Sequence, residues 1–204
     1  HSLGTAAEIS VTTPEQGDGN VEALLARSIS FHFMENGVYE SRTNPNEAAY
    51  IAQLVRGLLR GSSGMSIGIV AFSEAQQSEI ECALNNLAEK DNEFSTRLEA
   101  ELVREDNVVF NGLFVKNLEN VQGDERDIII MSVCYGHDAG GRMLMNFGPI
   151  NQRGGEKRLN VIFSRARMHM AVVSSIRHVD ITNEYNDGAN WLRNVTDPAG
   201  IDPA

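Results

Sequence analysis

No segment of this sequence reaches the ~18 consecutive apolar residues that a membrane-crossing helix needs, so no bilayer span is expected. The N-terminus also lacks a basic stretch followed by an apolar one, the mark of a secretory leader. Cysteine is scarce. Cys82 and Cys134 are the only two, too few for a disulfide framework, and no Cys-x-x-Cys pair suggests zinc. The five histidines are scattered, with no pair at helical spacing, so no metal site is expected on this chain. These absences point to a reducing, cytoplasmic setting without membrane association. Missing too is any Gly-x-x-x-x-Gly-Lys-Ser/Thr loop to cradle phosphates, and no Asp-Glu pair closes a strand to hold magnesium. Gly154-Gly155-Glu156-Lys157 imitates such a loop but has the wrong order and spacing. The chain therefore lacks the parts that would let it hydrolyse a nucleoside triphosphate alone.

Basic residues are in deficit as well, and the net charge of −11 opposes phosphate at long range. Any nucleic-acid affinity must come from a local concentration of arginine or lysine, or from a partner. What is present suits one globular domain, since 42% of the 204 residues are hydrophobic. The chain opens on His1, and residues 1–20 are polar, glycine-containing and aperiodic, which reads as a disordered tag or linker on a piece of something longer. The expected division is a domain over residues 21–182 and a C-terminal helix and tail over 183–204, with the chain a monomer.

Strands and amphipathic helices alternate along the domain. Ser28–Met34 alternates apolar and polar residues, as a half-buried strand does. Asn44-Pro45 opens a helix to about Arg60, with Ala48, Ile51, Val55, Leu58 and Leu59 on one stripe. The run Ile67–Phe72 reads as a strand buried on both faces, and Ser73 with Gln76 forms a capping box for a helix to about Lys90. A third helix is expected over 92–104, strands over 112–115 and 127–133, a helix over 156–167 and a strand over 170–173. Trp191-Leu192 suggests a short terminal helix, with fraying after Thr196. This order predicts an α/β fold: a doubly wound, mainly parallel sheet flanked by helices.

Three segments carry chemistry. In Asn120-Val121-Gln122-Gly123-Asp124-Glu125 a loop leads into a buried strand; Gly123 permits close backbone approach, Glu125 can accept from sugar hydroxyls, and Gln122 can donate and accept. In Lys157–Arg167 an apolar stripe of Leu159, Ile162, Phe163 and Ala166 would pin Arg158 and Arg165 on one flank, as phosphate recognition requires, with Arg167 on the other. In Gly68–Gln76 a strand runs into a capped helix, leaving free N–H groups at its end. Each alone has an ordinary structural reading as a solvated turn, a surface helix or a common α/β junction.

Together, and in this order, they resemble the C-terminal motor domain of superfamily 1 helicases, in the nonsense-mediated-decay-helicase branch. The family's Gly-Val-Ile-Thr-Pro-Tyr-x-Ala-Gln is similar to Gly68–Gln76, with Ala71-Phe72-Ser73 in place of Thr-Pro-Tyr. Its Ser-Phe-Gln-Gly-x-Glu-x-Asp-x-Ile resembles Asn120–Ile128, and its Arg-Arg-Leu-Asn-Val-Ala-x-Thr-Arg-Ala-Arg resembles Lys157–Arg167. The wording of residues 115–123 is also similar to a bacterial subgroup of large DNA helicases that carry a nuclease-like module downstream. The resemblance implies a RecA-like fold, and it implies that ATP and Mg²⁺ are bound in the full-length protein and not by this fragment. An upstream RecA-like domain would hold the phosphates. Arg165 would be the arginine finger with Arg158 in support, Gly123, Glu125 and Gln122 would meet the nucleotide, and Asn120, Ser73 and Gln76 would face single-stranded nucleic acid, DNA rather than RNA. Arg167 would matter far less to the chemistry. The alternatives are a non-enzymatic helicase-like scaffold and an unrelated nucleotide-binding α/β module.

Overall fold

A computed structural model describes residues 8–197. In chain order it contains β1 (Glu8–Val11), α1 (Gln16–Gly19), α2 (Val21–Leu25), β2 (Ile29–Met34), α3 (Pro45–Arg60), β3 (Ile67–Ala71), α4 (Glu74–Lys90) and α5 (Asn92–Leu102). A small hairpin follows, β4 (Glu105–Asp106) and β5 (Val109–Phe110), then β6 (Phe114–Asn117) and β7 (Arg126–Ser132). A 3-10 turn at Gly148–Ile150, α6 (Gly155–Phe163), β8 (Ala166–Ser174), a second 3-10 turn at His178–Asp180 and α7 (Asp187–Val195) complete it.

Six strands form one parallel sheet in the order β1-β2-β8-β7-β3-β6. Its central strands are apolar on both faces because both faces are covered. One core packs Ile51, Leu54, Ile80, Leu84 and Phe94 of α3, α4 and α5 against Ile69, Ile130 and Val173. The other packs Leu159 and Ile162 of α6 and Leu192 of α7 against Val70, Met131 and Val172. This is the doubly wound, RecA-like α/β fold that the sequence predicts. Where β3 lies between β6 and β7 the packing is tight: a Cβ on Gly68 would stand 2.4 Å from the Phe114 ring and 2.8 Å from Ile129.

The N-terminal segment corrects the sequence reading. Residues 1–7 lie outside the described residues, as do 198–204, but Glu8–Val11 is no linker: it is the edge strand of the sheet, paired with Phe31–Met34. Four residues of mixed polarity carry no period of their own; the ladder offered by β2 makes them a strand. A second departure is the β6–β7 connection. Parallel strands are usually joined through a helix, yet the chain returns in residues 118–125 alone, with Leu118 and Val121 buried in the second core.

A buried polar node ties the C-terminal ends of the strands to α3. The Glu47 carboxylate has no exposed surface, and it accepts from Ser132 Oγ (2.8 Å), Cys134 N (2.8 Å) and Ser175 Oγ (2.9 Å). Asn44 caps α3 by accepting from Glu47 N, and its amide donates to Ser175 Oγ and the Cys134 carbonyl. Gln76 closes the node: its Oε1 accepts from Asn44 N (2.7 Å), and its Nε2 donates to Asn44 O and Ser132 Oγ (both 3.1 Å). The capping box expected of Ser73 and Gln76 is therefore half formed. Ser73 Oγ accepts from Gln76 N, but the Gln76 side chain turns inward to Asn44 instead of back to Ser73.

Burial pushes the Glu47 carboxyl up from 4.5 to about 7, against the hydrogen bonds that favour its charge. The folded state thus holds a proton that the unfolded chain releases near 4.5, so this contribution to stability is full below 4.5 and is lost as pH rises through 7. His32, buried and lowered to about 4, acts in the opposite sense over 4–6.5, so the raw pH profile mixes the two. The difference between wild type and Glu47→Gln isolates the carboxyl, because His32 is common to both. Urea unfolding should show wild type gaining about 1–3 kcal/mol relative to Glu47→Gln between pH 8 and pH 5. Parallel profiles for the two proteins would mean that Glu47 stays ionised in the fold.

Candidate functional site

The candidate residues divide between the two ends of the sheet. At the N-terminal edge, β7 begins directly after the Gly123–Glu125 loop, and β8 begins directly after Arg165. Arg126 N donates to the Arg165 carbonyl (3.0 Å), and Arg126 pairs with Ala166, so the loop and the arginine are held side by side. Gly123 has a φ of +82°, a conformation only glycine adopts freely, and no neighbour crowds its missing Cβ. Gln122 and Glu125 are exposed, and Asp124 is paired with Lys116 at 2.6 Å.

The helix expected over 156–167 ends earlier, at Phe163. Arg165 N donates to Ile162 O, while Ser164 Oγ and Arg165 Nε both donate to the Val161 carbonyl, satisfying acceptors that a helix end leaves unpaired. From Ala166 onward the ladder with β7 takes over. Arg158 and Arg165 consequently share no helix flank: Arg158 stays on α6 with Nη1 donating to Pro149 O (3.0 Å), and Arg165 sits in the turn. Only the Nε of Arg165 is engaged among the described residues, and both of its Nη groups are uncommitted. Arg167 moves into the site. Its Nε lies 3.5 Å from Glu125 Oε2, and its Nη1 lies 3.9 Å from Asp127 Oδ1.

Sequence reasoning also passed over Arg126. This guanidinium is 4% exposed, donates from Nε to Gly112 O and from Nη1 to Glu125 O, and lies over the Phe114 (4.9 Å) and Phe110 (5.4 Å) rings. Burial lowers its pKa, countered by the charge of Asp124. Its Nη2 is buried without a hydrogen-bond partner among the described residues. The only hint in sequence was a charged residue opening an otherwise apolar strand. Arg126, Arg165 and Arg167 gather at this edge with Asp124, Glu125 and Asp127 among them, in a chain whose overall charge is −11.

The C-terminal edge holds a cavity of about 270 Å³ lined by Tyr39, Arg42, Phe72, Ser73, Asn117 and Tyr135, among others. Its aromatic wall is built edge to face, with ring centroids of Tyr39 and Tyr135 5.5 Å apart and those of Phe72 and Tyr135 6.3 Å apart. Of the residues expected to face nucleic acid, Ser73 lines this cavity, with its hydroxyl donating to Arg42 O. Asn120 is exposed, in the turn that closes on the Asn117 carbonyl beside it. Gln76 does not belong to the set. It has no exposed surface and its amide is committed to the Glu47 node, so its role is internal. Among the described residues no group of three or more His, Cys, Asp or Glu could hold a metal ion. No helix among the described residues is long and apolar enough to cross a membrane.

The chain is 35% identical over 151 residues to MG140 of Mycoplasma genitalium, named an uncharacterized ATP-dependent helicase; the match takes in 73% of this chain and 13% of that protein. It is likewise 35% identical over 154 residues to the MG140 homolog of Mycoplasma pneumoniae, again 73% of this chain and 13% of the relative. The chain thus spans about an eighth of the length of these curated relatives. A solved structure of the C-terminal domain of a possible DNA helicase from Lactobacillus plantarum is similar over 83% of this chain and 88% of that one, at 17% identity and a TM-score of 0.36. The AAA domain family (AAA_12) matches residues 8–177, nearly the whole sheet from β1 through β8 with the helices between, and the chain belongs to that family.

Proposed function

We propose that this chain is the second motor domain of an ATP-dependent nucleic-acid helicase or translocase, forming one wall of the ATP site and part of the nucleic-acid groove. The observation that carries the reading is the bond between Arg126 N and Arg165 O, which sets a half-committed guanidinium beside the Gly123–Glu125 loop. ATP would lie between this N-terminal edge and an upstream domain that holds the phosphates and Mg²⁺. The metal would neutralise phosphate charge there. Arg165 directs its two free Nη groups at the γ-phosphoryl oxygens, where negative charge builds as the bond to the β-phosphate breaks. Glu125 accepts a hydrogen bond from a sugar hydroxyl, with Arg167 setting its position, and the bare backbone of Gly123 together with Gln122 meets the nucleotide. Arg158, tied to Pro149 O, holds α6 against the 3-10 turn so that the Arg165 turn keeps its place, in support of the finger.

Single-stranded nucleic acid, DNA before RNA, would occupy the opposite edge. Half-buried Tyr39, braced by the buried ring of Tyr135 with Phe72 behind it, offers a ring for base stacking, Arg42 a phosphate contact, and Ser73, Asn117 and Asn120 polar contacts. The strands that join the two edges give nucleotide-driven motion a rigid path to the nucleic acid. The net charge of −11 favours one rival, a scaffold without turnover, and kinetics separates the two.

In the full-length protein Arg165→Ala should lower kcat by roughly 10³–10⁵-fold with little change in nucleotide affinity, and lysine should rescue poorly because it lacks the planar fork. Arg167→Ala should instead raise KM for ATP and largely spare kcat. Steady-state kinetics decides this, and unchanged turnover at Arg165→Ala would remove the finger. The isolated 204-residue chain should show no ATP turnover.

Nucleic-acid binding by the chain alone should be weak and steeply salt-dependent. Tyr39→Ala should reduce affinity for a single-stranded oligonucleotide by about tenfold, since one stacked base contributes about 1–3 kcal/mol. Fluorescence anisotropy at low salt measures it, and an unchanged affinity would place the strand elsewhere.

A further inference from the structure

The stretch from Leu102 to Phe110 leaves apolar surface that the fold itself never covers. Ten large apolar side chains are exposed among the described residues, and five fall here: Leu102, Val103, Val108, Val109 and Phe110. They sit on the β4–β5 hairpin and its approach, and Val108 at the tip is 92% exposed. Turn chemistry does not explain the valine. Asn107 (φ +52°) and Val108 (φ +65°) are both left-handed, as a two-residue hairpin turn demands, and glycine is the ordinary second residue. A β-branched side chain there is strained, and at this exposure almost no packing among the described residues offsets it.

The hairpin is nevertheless held firmly. Arg104 pairs with Glu101 (3.0 Å) and Asp106 (3.4 Å), the Asn111 amide donates to Asp106, and Asn111 N donates to Arg104 O. Its place is specific as well. Gly112 and Leu113 lead straight into β6, so the hairpin stands at the N-terminal edge of the sheet. Phe110 covers the Arg126 guanidinium, whose backbone is bonded to Arg165.

We propose that the β4–β5 hairpin is the docking element by which this domain seats against the phosphate-loop-bearing motor domain of the same protein. The inference rests on the nucleotide reading above, because a domain that delivers a triphosphate to Arg165 must approach this edge, and the hairpin stands in its path. The relatives matched here are about eight times as long as the matched segment, which leaves ample chain for such a domain. The complementary face is apolar with a basic rim, to meet Val108, Val109 and Leu102 on one side and the exposed carboxylate of Glu105 on the other.

The test uses the full-length protein with a photo-crosslinking amino acid in place of Val109, and in place of the equally exposed Val179 as a control. With a non-hydrolysable ATP analogue bound, Val109 cross-links should map to the phosphate-loop domain and Val179 cross-links should not. Cross-links from Val109 to a second copy, to another region of the protein, or to nothing would overturn the proposal. A second variant guards against misfolding: Val108→Gly with Val109→Thr relieves the left-handed valine and keeps strand propensity. It should melt at the same temperature or higher while kcat/KM for ATP falls about tenfold, as loss of apolar interface anchors does. An unaltered kcat/KM would contradict docking. Failure of the nucleotide reading looks different, because Arg165→Ala would then keep full turnover whatever Val109 cross-links to.

Discussion

Glu47 is the point on which this architecture turns. A carboxyl without access to water must be surrounded by donors or give up its charge, and the donors here come from separate parts of the chain. Ser132 ends β7 and Cys134 follows it, Ser175 follows β8, and Asn44 caps α3. Gln76, at the start of α4, completes the set through Asn44 and Ser132. The node therefore registers two strand ends and two helix starts against one another, and the aromatic cavity is built on the loops that leave it. Removing one member would leave the others buried and unpaired, which costs more than the bond itself contributes.

The N-terminal edge is organised by different means. There the ladder between β7 and β8 does the positioning, through one backbone bond that places Arg165 beside Glu125. Charge is concentrated rather than abundant: three arginines gather where two strands begin, in a chain with 28 acidic residues against 17 basic ones. The segment 118–125 joins the two edges without a helix, so both ends of that loop carry candidate residues, Asn120 near the cavity and Glu125 near the arginines.

The central strands were legible in sequence because strands covered on both faces must be continuously apolar, as Ile67–Ala71 and Ile128–Met131 are. The helices were legible from their stripes and from Asn44, Pro45 and Ser73 at their starts. What could not be read depends on partners distant along the chain. Glu8–Val11 becomes a strand only because β2 offers an edge. The sequence carries the helix on through Arg167, and only the turn at Ser164-Arg165 and the ladder with β7 draw that end out of it. That change moves Arg167 from a bystander to a neighbour of Glu125. Glu47 and Gln76 have the composition of surface residues, and no local pattern reveals that the C-terminal ends of β7 and β8 supply their partners.

As the proposed arginine finger, Arg165 would recognise charge that exists only as the γ-phosphoryl group departs. Calorimetric titration of the full-length protein with ADP, and with ADP plus aluminium fluoride as a mimic of that state, tests it most directly. Wild type should bind the mimic far more tightly than ADP, and Arg165→Ala should bind the two alike. Equal discrimination by both proteins would contradict a finger role for Arg165.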